Sequence, residues 1–228
     1  MDEPRREFLK VIGSAAALAI PGCGAEAGAA GRRASPGSHA EAEVTPGEDL
    51  MQEHGLLERI LLVYGEAVAR IERGERLDTA PVARAAAIVR RFVEDYHERL
   101  EEKHVFPRLE AAGSEVELVA ILRRQHQRGR ELTDEVQRLA SAGTSSSRLV
   151  EVLRQFERMY RPHAAREDTV LFPAFRRVVG GAAYRELGEE FEHIEHQQLG
   201  DRGFERSVAE VAELEAMLGI ADLSRFTP

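Results

Sequence analysis

Residues 97–107, HERLEEKHVFP, and residues 163–173, HAAREDTVLFP, spell one pattern twice. His97 matches His163, Glu101 matches Glu167, Glu102 matches Asp168, and Phe106-Pro107 matches Phe172-Pro173. A duplicated unit constrains the architecture before any single motif does. Within each copy, a histidine and a glutamate four residues apart share one helical face. Each copy therefore offers a nitrogen and a carboxylate oxygen to one point.

The sequence around the repeat reads as helix throughout. Leu50, His54, Leu57, Ile60, Leu61, Tyr64, Val68 and Ile71 recur at steps of three and four, predicting a first helix over about 47–73 that Gly74 ends. A second, about 80–112, opens with Thr79 as its cap and carries Val82, Val89, Phe92 and Tyr96 before His97, Glu101 and His104. Pro107 lacks a backbone donor and should kink or end this helix near His104. Ser114 to Glu117 reads as a capping box for a third helix, about 115–140, with Leu118, Ile121, Leu122, His126 and Leu132. A fourth starts near Ser147 and carries Phe156, Tyr160, His163 and Glu167, with Pro162 inside it. After Gly180-Gly181, two shorter helices are expected at about 184–197 and 204–218, then an extended tail packed by Leu223 and Phe226. The expected fold is all-α: an up-down-up-down four-helix bundle over 47–180 with two additional short C-terminal helices in an extension over 181–228.

Each long helix holds one histidine of a set, His54, His97, His126 and His163, and the second and fourth add Glu101 and Glu167. All six interrupt apolar stripes, and burying them unpaired would cost several kcal/mol. Four imidazoles and two carboxylates suit two metal ions bridged by carboxylate. Cys23 is the chain's single cysteine, which excludes an internal disulfide and a cysteine-based zinc site. Histidine and carboxylate donors suit iron, manganese or zinc better than soft metals. His104 reads as packing or support, because its repeat partner is Val170. Glu98, Glu102 and Asp168 are either acceptors behind the ligands or surface charges, and Arg130 is either a partner for a core carboxylate or a surface arginine. Glu58, one turn after His54, has Arg130 at its matching position, and His193 and His196 read as part of a solvated face.

The doubled HxxxE(E)xxxFP, with single histidines on the intervening helices, resembles the hemerythrin-like, HHE cation-binding family over about residues 48–175. That resemblance implies a four-helix bundle with a non-haem di-iron centre, two iron ions held by His54, His97, Glu101, His126, His163 and Glu167, with the glutamates bridging. The chain departs from oxygen-carrying members, which have a further histidine where this chain has Arg130 and an aspartate from the last helix where it has His163 with Glu167. Fewer histidines and more carboxylate favour redox chemistry over reversible oxygen carriage.

Arg5-Arg6-Glu7-Phe8-Leu9-Lys10, followed by small and apolar residues to Ile20, resembles a twin-arginine export signal over 1–31. The apolar run is too short to span a bilayer. Ile20-Pro21-Gly22-Cys23 resembles a lipoprotein processing site, which makes lipidation of Cys23 the one route to a membrane. Residues 32–46, rich in Gly, Ala, Ser and Pro, read as a flexible linker that includes His39.

The formal charge of −9 excludes nucleic acid as the main partner, since phosphate contacts need a basic face. The expected protein is exported, outside the cytoplasmic membrane, and carries a di-iron centre that binds or reacts with oxygen, nitric oxide or peroxide. It reads as a gas-binding protein more than an enzyme. The alternatives are a di-iron oxidase or peroxidase on the same scaffold, or a metal-stabilised bundle whose C-terminal helices dock a partner.

Overall fold

A computed structural model describes residues 44–143 and 145–227. The export-signal reading, Cys23, His39 and nearly all of the expected linker lie outside the described residues. From Thr45 onward the chain forms one compact unit. It is helical, and among the described residues there is no strand.

Helix α1 is Pro46–Glu72. It starts slightly earlier than the linker reading allowed, because Thr45 and Glu48 form a reciprocal capping box: the Glu48 N–H donates to Thr45 Oγ1 and the Thr45 N–H donates to the Glu48 carboxylate. Gly74, at φ +70°, turns the chain out of it. Helix α2 is one continuous rod over 80–111 that changes winding along its length. Ala80–Ile88 is α-helical, Val89–His97 π-helical, Glu98–Leu100 α-helical, Glu101–Val105 π-helical and Phe106–Ala111 α-helical. Thr79 does not cap it. The Thr79 hydroxyl donates instead to the Ala140 carbonyl at 2.7 Å, and Asp78 accepts from the Ala80 N–H.

Helix α3 is Val116–Ser141. The expected capping box at Ser114 does not form. Gly113 takes φ +66°, and the N–H groups of Gly113 and Ser114 fold back onto Glu110 and Leu109 to close α2. The reversal leaves Glu115 to start α3 from the left-handed region, at φ 53°, with no side-chain cap. Ile121, expected on the inner stripe, is exposed. Helix α4 runs over 147–179 as an α-helix through Arg166, a π turn at Glu167–Leu171 and an α-helix over Phe172–Val179, and Pro162 sits within its first section. Helices α5, Gly181–Leu199, and α6, Gly203–Met217, follow.

Helix α1 packs along α4 and α2, and α3 packs against both α2 and α4. Tyr64, Phe92, Tyr96, Phe156, Tyr160, Phe172 and Phe175 fill the space among them with almost no exposure. Helix α6 lies against α1 and the start of α2, and α5 against α1. Phe191 and Leu214 join the same core. Arg59 grips Glu215 with two hydrogen bonds, and Arg84 with Glu213 and Arg91 with Glu210 add exposed pairs. The last two helices therefore pack onto this chain's own core. The tail differs from expectation. Leu223–Phe226 is a short 3-10 turn held by the Asp222 cap and by Arg225 on the Gly219 carbonyl. Its Leu223 and Phe226 side chains are 81% and 52% exposed rather than packed.

Candidate metal centre

The apolar stripes of α1 to α4 bring His54, His97, Glu101, His126, His163 and Glu167 to one place, each at most 4% exposed. His54, His97, Glu101 and Glu167 form one group with donor atoms within 4.8 Å of one another, and His126, His163 and Glu167 form a second. Glu167 belongs to both. Its carboxylate lies 3.3 Å from His54 Nε2, 3.1 Å from His163 Nε2 and 3.9 Å from His126 Nε2. Glu101 reaches across the halves in the same way, 3.8 Å from His97 Nε2 and 3.4 Å from His126 Nε2.

All four imidazoles point Nε2 inward, because each Nδ1 is held from behind. His54 Nδ1 meets Asp168 Oδ1 at 2.7 Å, and His97 Nδ1 meets Glu53 Oε2 at 2.6 Å. His126 Nδ1 meets Glu102 Oε1 at 3.1 Å, and His163 Nδ1 meets Gln125 Oε1 at 2.9 Å. A carboxylate or amide oxygen only accepts, so each Nδ1 carries a proton and each Nε2 is the atom turned to the centre. The braces follow the repeat. Asp168, one residue after Glu167, supports His54; Glu102, one residue after Glu101, supports His126. Glu53 and Gln125, each directly before a lone histidine, support His97 and His163.

The phenylalanines of the two motifs complete the pattern. Phe106 stacks on His126 at 5.4 Å and 27°, and Phe172 stacks on His54 at 5.6 Å and 21°. The motif prolines account for the π turns at Glu101–Val105 and Glu167–Leu171. Pro107 and Pro173 lack the donor that an α-helix needs there, and their rings would clash with the carbonyls four residues back. The chain widens instead. Phe106 N–H bonds to the Glu101 carbonyl and Phe172 N–H to the Glu167 carbonyl, five residues back in each case. Pro107 therefore does not end α2; the helix continues to Ala111.

The electrostatics reflect many acids in little space. Burial, and then the neighbouring Glu167 charge, raises Glu101 well above the usual carboxylate range. Burial also acts on Glu167, but His163 and His54 outweigh it and hold that carboxyl well below the range. Burial lowers His54 too, yet the hydrogen bond to Asp168 and the nearby Glu167 carboxylate prevail and lift it to about 9. His126, where burial prevails, falls to about 4. Both oxygens of Glu101 and of Glu167, and Nε2 of His126, are buried without a hydrogen-bond partner. Such orphaned atoms are costly unless a cation takes them. The nitrogens His54 Nε2 and His97 Nε2 face each other at 3.1 Å. Two imidazoles bound at right angles to one ion, each about 2.1 Å away, would have their nitrogens about 3.0 Å apart. The donor set fits a metal.

The family model of the hemerythrin HHE cation binding domain matches residues 45–175, and again 117–219. The chain belongs to the hemerythrin HHE cation-binding family. Three relatives named only as uncharacterized proteins, one from Mycobacterium bovis and two from strains of Mycobacterium tuberculosis, are each 42% identical over 231 residues, covering 98% of this chain and 91% of the relative. No solved structure matches.

Around this hemerythrin-like site, the remaining candidates separate. Glu98, Glu102 and His126 also lie close together. There, however, Arg130 Nη2 sits 2.8 Å from both carboxylates and supplies the positive charge itself. Glu98 is buried and also accepts from Tyr160 Oη at 2.8 Å, so it is no surface charge. His104 faces away from the centre, with its ring edge-on to Phe191 on α5 and Nδ1 3.6 Å from Glu190. His193 and His196 are exposed, and so is Glu58. The sequence did not single out Glu53 and Gln125, and Tyr96 read only as part of the apolar inner side. Tyr96 Oη donates to Glu53 Oε1 at 3.1 Å. The available signal was the polar residue standing directly before each lone histidine.

Proposed function

We propose that this chain holds a dinuclear non-haem iron centre in an up-down-up-down arrangement of α1 to α4. Its role is to bind or react with a small oxidant or gas, namely oxygen, nitric oxide or peroxide. The observation that carries this reading is the convergence of four Nε2 atoms on two buried glutamates whose oxygens lack hydrogen-bond partners. His54, His97, Glu101, His126, His163 and Glu167 would hold the ions, with Glu101 and Glu167 between them. When bound, an iron pair would supply open coordination positions and redox capacity at the centre.

The protein's own contribution is orientation and exclusion. Asp168, Glu53, Glu102 and Gln125 fix each imidazole and its proton. Phe106 and Phe172 cover two of the rings and keep water from their faces. Tyr160, hydrogen-bonded to Glu98, closes the space beside His163, its ring 5.5 Å away. Zinc suits this role less well than iron, since it has no redox chemistry, and manganese stands behind iron as an alternative.

The amino-terminal pattern supports a location outside the cytoplasmic membrane, with Cys23 as an anchor if it is lipidated. Among the described residues, no helix is long and apolar enough to cross a membrane. Metal analysis and visible spectroscopy of the purified protein test the reading. Two irons per chain, with a ferric absorption that responds to nitric oxide or peroxide, are expected. Less than one iron per chain after anaerobic reconstitution, with no such absorption, would refute it.

A further inference from the structure

By the repeat, each half offers two histidines and a glutamate, but the halves differ in what stands behind the histidines. In the half formed by His54 and His97, both imidazoles rest on carboxylates, Asp168 at 2.7 Å and Glu53 at 2.6 Å. In the half formed by His126 and His163, the contacts are longer and poorer in charge. His163 rests on the neutral amide of Gln125 at 2.9 Å. His126 rests on Glu102 at 3.1 Å, and that carboxylate is divided among several donors. Its Oε1 also takes Arg130 Nη2 at 2.8 Å, and its Oε2 takes Arg99 Nη1 at 2.7 Å. The difference is written in the chain itself, where the residue before each lone histidine is Glu53 in one half and Gln125 in the other.

A carboxylate behind an imidazole raises the basicity of the nitrogen that faces the metal, and changing such a partner alters metal affinity by about 10- to 100-fold. An amide gives orientation without the charge. A carboxylate that two guanidiniums also hold polarises its histidine less. We infer that the two cation positions are inequivalent: the His54/His97 position fills first and more tightly, and the His126/His163 position fills second. Glu53 and Gln125 are the positioning residues that set this order. The inference rests on the dinuclear reading and adds to it a sequence of loading.

The test is a titration of the full chain, stripped of metal by a chelator, with Co2+ under anaerobic conditions, followed by visible absorption and calorimetry, with each affinity corrected for the protons released on loading, which calorimetry in buffers of different ionisation heat reads. Two resolved steps are expected, separated by about 10- to 100-fold in affinity. Glu53→Gln should weaken the first step by about 10-fold and draw the two together. Gln125→Glu should strengthen the second by a similar factor. Asp168→Asn gives a second route to weakening the first step if Glu53→Gln folds poorly, and circular dichroism reports the fold of each. Two equal steps in the unaltered protein, or variants that leave the separation unchanged, would overturn the inference while leaving the dinuclear reading intact. Failure to bind two Co2+ ions at all would instead count against that reading.

Discussion

Asp168 Oδ1 lies 2.7 Å from His54 Nδ1, although 114 residues separate them. Its counterpart, Glu102 on His126, repeats the relationship in the other half. Each copy of the duplicated motif thus does two jobs. Its first histidine and glutamate face the centre, while its next acid and its phenylalanine hold the lone histidine of a neighbouring helix. The acid fixes the ring's proton and the phenylalanine fixes its plane.

Proton release should accompany metal loading. His54 is held at about 9, so the metal-stripped protein carries it protonated at neutral pH. A cation must displace that proton, and apparent affinity should rise with pH up to about 9. The sign for stability is the reverse. A histidine raised above its ordinary value stabilises the metal-stripped fold fully below about 6.5, and that contribution is lost as pH rises through about 9. Calorimetric titration at pH 7 in buffers of different ionisation heat reads the released proton directly; a heat independent of buffer would contradict it.

Removing the stacking rings should cost both stability and metal. Phe106 and Phe172 are almost fully buried. Substitution by alanine in such positions costs about 3–5 kcal/mol. Phe172→Ala should lower the denaturant midpoint accordingly and speed loss of metal to a chelator. Phe191→Ala, buried equally but set against His104, should cost a similar stability and leave the rate of metal loss near that of the unaltered protein.

The prolines should trade stability for site geometry. Pro173→Ala restores a backbone donor and removes the clash that favours the π turn at Glu167–Leu171. The metal-stripped variant should melt no lower than the parent, while binding metal more weakly because Glu167 is no longer presented from a widened turn. Thermal unfolding with and without metal separates the two effects. A parallel fall in both would show that the proline serves the fold alone.

Gly129 should not tolerate a side chain. A Cβ there would lie 2.0 Å from Tyr160 Oη and 2.8 Å from its Cζ, so the ring that reaches Glu98 would have to move. Alanine raises helix propensity by about 1 kcal/mol, but overpacking of a fixed ring costs about 1–3 kcal/mol. Gly129→Ala should therefore be neutral to destabilising, and Gly129→Ala with Tyr160→Phe should recover part of the loss. Equilibrium denaturation of the pair measures this coupling.

Helical class and the six inward residues were legible because their signals are periodic and duplicated. His97 with Glu101 and His163 with Glu167 announce one face by their spacing, and His54 and His126 interrupt apolar stripes. Glu53 and Gln125 were not legible by that method. They stand one residue, and so about 100° of helix, away from the inward stripe, where they face a neighbouring helix instead. The π turns were hidden for a related reason: steps of three and four describe α-winding, and only at Glu101–Val105 and Glu167–Leu171 did a proline at the same offset mark the change. At Ser114 a capping-box pattern lost to the tight reversal at Gly113. In the tail, apolar Leu223 and Phe226 invited a packing role that the 3-10 turn does not give them, since apolar identity alone does not decide burial.

Two iron ions are expected among His54, His97, Glu101, His126, His163 and Glu167. Anomalous diffraction at the iron absorption edge, from crystals of the iron-loaded protein, tests this most directly. Two peaks are predicted, one beside His54 and His97 and one beside His126 and His163, with Glu101 and Glu167 between them. A single peak, or density beside Glu98 and Glu102 in place of Arg130, would contradict the account.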